Sequence, residues 1–141
     1  KHLVAGRQLV RAMAYVVKSE DIVEAPRTQK PGATESAFFE ALEKSGLELR
    51  VKDLQVYHGG MKKADWDVGM AVDAIRMAEF LDVVILVTGD GDFIPLVEYL
   101  KWGMGRQVEV AAFGRSASGK LKEVTDHFIN IEDIPRAILK R

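Results

Sequence analysis

Val83-Val84-Ile85-Leu86-Val87-Thr88-Gly89-Asp90-Gly91-Asp92-Phe93 is the stretch that decides how this chain is read. Five consecutive aliphatic residues predict a strand buried on both faces, as the inner strands of a parallel sheet are. The strand ends in two carboxylates spaced by a glycine. A helical pattern starts at once in Phe93-Ile94-Pro95-Leu96-Val97-Glu98-Tyr99-Leu100. Acids at the C-terminal tip of such a strand sit where open α/β sheets bind ligands. Oxygen-only donors at that place suit a hard cation, Mg²⁺ or Mn²⁺.

Outward from this stretch, strands and helices alternate. Residues 8–17 read as an apolar strand, 18–33 as a loop with two prolines, and 34–44 as a helix stopped by Gly46. Leu47–Lys52 alternates with period two, as a half-exposed edge strand does. Residues 65–81 make the strongest helical pattern, and 92–102 a second. Residues 107–113 form another strand, 121–126 a short helix, 128–131 a short strand and 135–141 a terminal helix. This order predicts a single α/β domain with a mainly parallel sheet covered on both faces.

Composition narrows the function classes. The chain has 141 residues, 48% of them hydrophobic and 29% charged, enough for one domain with a real core. No apolar run approaches the ~20 residues of a bilayer span, and no signal-peptide pattern opens the chain. The absence of cysteine removes disulfides, thiolate metal sites and cysteine nucleophiles, and fits a cytoplasmic protein. A net charge of −1 gives no general attraction to polyanions, so nucleic-acid binding would rest on a local basic patch.

The acids can converge. Asp65 and Asp67 open the long helix, and a helix running antiparallel to its neighbouring strands brings its N-terminus to the sheet edge that carries Asp90 and Asp92. Asp73, six residues past Asp67 at about 100° per residue, points elsewhere and ranks lower. Such a cluster, holding a cation, suits attack of water on a phosphodiester. Lys62, Lys63, Arg115 and Lys120, with Ser116 and Ser118 in the 114–119 loop, are placed to grip phosphates. Each acid also has a plain structural explanation. Asp92 can cap the helix, Asp90-Gly91 can be turn chemistry, and Asp65 and Asp67 can complement a helix dipole. Singly these explanations suffice, but they leave the pairing of Asp90 with Asp92 at a fully buried strand unexplained. Trp66, Trp102 and Phe113 read either as base-stacking platforms or as core. His2, His58 and His127 form no metal-ligand spacing.

Lys63-Ala64-Asp65-Trp66-Asp67-Val68, Asp73-Ala74 and Thr88-Gly89-Asp90-Gly91-Asp92-Phe93 resemble the NYN domain, in its LabA-like branch, from about Arg7 to Ile131. Val108-Glu109-Val110, the Ser116/Ser118 loop and Asp126-His127-Phe128-Ile129 extend the likeness. The resemblance implies a three-layer α/β/α PIN-like fold, related to Rossmann-like folds, and a Mg²⁺- or Mn²⁺-dependent ribonuclease acting on RNA. It implies Asp67, Asp90 and Asp92 as catalytic, metal-binding acids, Asp65 as a further ligand, and Lys63 as a phosphate contact. The family also begins with a strand ending in an aspartate and, shortly after, an asparagine. No counterpart is present here, so residues 1–141 are expected to be one NYN/PIN-like domain lacking its first strand. Two other function classes fit the same residues: a non-catalytic regulatory or RNA- or protein-binding module, with self-association at an edge strand conceivable, and a small-molecule phosphohydrolase.

Overall fold

The structure is a computed structural model that describes residues 1–18, 31–53, 55–56, 62–63 and 66–138. The chain divides into two compact units, residues 9–68 and residues 1–8 with 69–141.

In the first unit, β1 (Met13–Lys18) pairs in parallel with β2 (Glu48–Asp53), Tyr15 standing opposite Arg50. The crossover between them is α1 (Pro31–Lys44), which ends at Gly46 with φ +94°, a backbone setting that favours glycine. The strand read in 47–52 is present, but its burial does not alternate with period two: Leu49 and Lys52, on opposite faces, are half-buried, and Val51 is exposed. β3 (Gln55–Val56) and β4 (Lys62–Lys63) form a short antiparallel pair.

The second unit carries α2 (Asp67–Ala78), whose first two residues precede the division between the units and whose body lies beyond it. β5 (Val83–Val87), β6 (Gln107–Ala112) and β7 (His127–Asn130) make a parallel three-stranded sheet in that order. Val87 stands opposite Ala111, and Ala112 opposite Asn130, so these strands end together at one edge. Parallel pairing requires crossovers. The first runs through a 3₁₀ turn (Gly91–Phe93), α3 (Ile94–Glu98) and a π-helical turn (Tyr99–Gly103); the second is α4 (Gly119–Val124). Ala74 and Ala78 of α2, Val97, Leu100, Val108, Val110 and Leu121 meet in the core.

The expected mixed α/β class with parallel strand pairing is therefore present. Two expectations change in detail. The continuous helix over 92–102 is three short helical pieces, with Pro95 in the first turn of α3, where its missing N–H is tolerated. The terminal helix over 135–141 does not form among the described residues. Residues 134–138 are turns and bends, and Arg136 has φ +64°, outside helical space. The predicted loop falls largely on residues 19–30, outside the described residues.

Candidate metal centre

The edge where β5 ends is built from a tight turn. Asp90 caps the 3₁₀ turn, its Oδ1 accepting the Asp92 N–H at 2.9 Å, while its own N–H donates to Thr88 Oγ1 at 3.2 Å. The cap is thus Asp90 and not Asp92. Asp92 is left with no capping task, and its carboxylate is exposed. Gly89 and Gly91 flank Asp90 because a second loop comes against them. A Cβ at Gly89 would lie 3.2 Å from Ala117 Cα, and one at Gly91 would lie 3.0 Å from Ser118 Oγ. The Ser118 N–H closes this contact by donating to the Gly89 carbonyl at 3.0 Å.

Asp67 is the first residue of α2, and carboxylate oxygens of Asp67, Asp90 and Asp92 all lie within 4.8 Å of one another. Ligand oxygens on one octahedral Mg²⁺ stand about 3 to 4 Å apart. Three hard, anionic donors converging to nearly that spacing fit a divalent cation, and among the described residues neither Asp90 nor Asp92 makes an ion pair. Asp73 is buried beside Arg76, at 3.9 Å, and is not in the group, as its helical offset predicts. Asp65 lies outside the described residues.

The basic residues behave differently. Arg115 is the exposed tip of the 113–118 loop, its Nε 3.6 Å from Glu132. Lys120 is exposed in the first turn of α4 and makes no ion pair among the described residues. Ser116 turns its hydroxyl back to the Phe113 carbonyl at 3.4 Å. Ser118 caps α4, its Oγ accepting the Leu121 N–H at 3.4 Å. Lys62 and Lys63 lie in β4, and their side chains are not among those described. Trp66, one residue before Asp67, donates its indole N–H to the Val16 carbonyl at 2.9 Å, with Arg50 and Lys52 over its ring.

One residue was missed by the sequence reading. Asn130 ends β7, and its Oδ1 accepts the N–H groups of Gly114 and Glu132, each at 3.1 Å. The sequence signal for it was an asparagine at a strand end, where its side chain readily caps the following turn.

The family model of the NYN domain matches residues 1–132. The Low amplitude and bright protein LabA of Synechococcus elongatus is 29% identical over 109 residues, 73% of this chain. The chain spans 58% of that relative's length. A crystal structure of a Vibrio parahaemolyticus protein of unknown function matches with a TM-score of 0.73 at 35% identity, covering 88% of this chain and 70% of that one. The fold shared with it is mixed α/β, of the PIN-like α/β/α type.

Proposed function

Because the chain belongs to the NYN domain family, in its LabA-like branch, we propose that it is a metal-dependent ribonuclease. The observation that carries this reading is the approach of Asp67, Asp90 and Asp92 to within 4.8 Å. These three would hold Mg²⁺ or Mn²⁺, with Asp65 as a further ligand. The ion would supply Lewis acidity and neutralise charge gathering on the phosphate.

The protein's own groups orient the reaction. Asp90 commits Oδ1 to the Asp92 N–H, so its other oxygen would be the one offered to a cation. Capping so fixes both acids relative to the end of β5. Arg115 and Lys120, with Lys62 and Lys63, would engage backbone phosphates on either side of the cleaved bond, and Ser116 would add a hydroxyl at the loop. Hydrolysis joins a water oxygen to phosphorus and releases the leaving nucleotide's oxygen, which takes up a proton. A phosphohydrolase working through an aspartyl nucleophile is less well supported, since the family matched over residues 1–132 and the grouping of three carboxylates favour a metal-held water as the attacking group.

Asp90→Asn tests the proposal. Asparagine keeps an Oδ1 to accept the Asp92 N–H, so the turn stays capped, while the charge that binds the cation is gone. Mn²⁺-dependent cleavage of a single-stranded RNA should fall about a hundredfold or more. Cleavage undiminished in the variant removes the assignment. Calorimetric titration of the parent protein with Mn²⁺ addresses the regulatory alternative: an RNA- or protein-binding module with a vestigial pocket takes up little of the ion.

A further inference from the structure

The acidic turn does not stand alone. The loop Phe113–Ser118 leans on it, touching both glycines that flank Asp90. That loop is in turn held at its root by two side chains from other elements. Asn130 of β7 accepts the Gly114 N–H at 3.1 Å, and Lys122 of α4 donates to the Gly114 carbonyl at 2.7 Å. Both backbone groups of one residue are thus taken by side chains. Within the loop the N–H groups of Ser116 and Ala117 both donate to the Phe113 carbonyl at 3.1 Å, which makes it a closed turn. Gly114 is glycine for a spatial reason: a Cβ there would lie 2.9 Å from Asn130 Nδ2.

We infer that Asn130 and Gly114 form a latch that presses the Phe113–Ser118 loop onto the acidic turn and thereby sets the placement of Asp90 and Asp92 for a divalent cation. The inference rests on the metal reading above for its consequence, though not for the mechanical coupling itself. Asn130 touches neither acid; it is a positioning residue that acts through Gly114, the closed turn, and the Ser118 N–H to Gly89 carbonyl bond. Its single acceptor oxygen also takes the Glu132 N–H, so the latch is anchored to the turn that follows β7. Coupling of this kind needs a contiguous rigid path, and each link here is a hydrogen bond or a close packing contact.

Amide hydrogen exchange on the metal-free protein reads the coupling directly. Asn130→Ala removes the acceptor; Gly114→Ala keeps it but drives a methyl into the amide. Both should raise exchange at the Asp92 and Ser118 amides about tenfold, because the hydrogen bonds lost are each modest in net strength. Asn130→Asp retains the acceptor oxygen and should restore protection close to that of the parent. The control is Asp126→Ala. It breaks a bond to the Val108 N–H at the opposite end of β6 and lowers stability without touching the loop. If Asn130→Ala does not fold, Gly114→Ala carries the same comparison. Unchanged exchange at Asp92 and Ser118 in a folded latch variant overturns the inference. So does a rise spread evenly over the unit, as Asp126→Ala should give. A Mn²⁺ titration follows: weaker binding in Asn130→Ala, rescued in Asn130→Asp, supports the latch as a setter of the metal site. A parent protein that binds no Mn²⁺ defeats the proposed function and the latch's role in it, while the exchange measurement still decides the mechanical coupling.

Discussion

The two parallel sheets among the described residues are held by opposite means. β6 lies between β5 and β7 with Val108 to Ala112 buried, and every buried hydrophobic among the described residues lies between Ala74 and Leu121. β1 and β2 offer no such interior: Glu48, Arg50, Val51 and Asp53 are exposed. What joins that pair, beyond its backbone ladder, is an edge of aromatic and charged contacts. Tyr15 sits 5.6 Å from Trp66, whose ring lies beneath Arg50 and Lys52 at 6.0 and 5.5 Å. Burial is non-directional and scales with area, whereas exposed polar contacts compete with water. The acids at the tip of β5, Asp90 and Asp92, are therefore mounted on the unit with the apolar core.

The largest expected effect tests that contrast. Leu100→Ala empties a fully buried position in the core and should cost about 2 to 5 kcal/mol in urea unfolding. Val51→Ala on β2, 48% exposed, should change stability by no more than about 0.5 kcal/mol. Equal costs at the two positions would end the comparison.

A smaller effect sharpens it at a charge buried in the apolar half. Glu109 is 4% exposed on β6, and Arg7 clasps it with two bonds at 2.8 and 3.0 Å while Gln107 adds a third at 3.0 Å. The hydrogen bonds from Arg7 hold the Glu109 carboxyl below its ordinary value near 4.5, against the opposing push of burial. A carboxyl lowered by folding lends stability above its unfolded value, and that stability drains as pH falls through the lower folded one. The urea midpoint should therefore drop between about pH 6 and about pH 3 by more in the parent than in Glu109→Gln, which has no proton to take up. Parallel pH profiles would show that the Arg7 clasp contributes nothing to folding.

Much of this was open in the sequence because β5 announces itself. Five aliphatic residues in a row marked β5 as a strand with acids at its C-terminal tip, the edge where open α/β sheets bind ligands. The inner, doubly buried position expected of it is instead that of β6, since β5 is an outer strand of the described sheet with Val84 and Leu86 buried and Val87 exposed. The approach of Asp67 was expected from a helix running antiparallel to its neighbouring strands, which brings its N-terminus to the edge where the strands end. Details that depend on contacts between distant residues did not show. Gly89 and Gly91 read as turn glycines, yet their need comes from Ala117 and Ser118, some 27 residues on. Asn130 and Gly114 are 16 residues apart and meet only because β6 and β7 end in register. Asp92 was the expected cap because it stands next to the helical pattern, but the 3₁₀ turn starts earlier and gives the task to Asp90.

The smallest expected effect lies at the open end of the weaker pair. Arg11 and Glu48 form a two-bonded ion pair ahead of β1 and at the start of β2, with side chains 47% and 51% exposed. Arg11 holds the Glu48 carboxyl below its ordinary value, which shows attraction but not stability, since water and salt reach both partners. Arg11→Ala should leave the urea midpoint unmoved within error, and raising the salt concentration should do as little to the parent protein. A loss approaching that of Leu100→Ala would mean the β1–β2 pair hangs on one surface contact. Cohesion there would then be electrostatic in energy as well as in appearance, and the division drawn between the two halves would have to be restated as burial against charge.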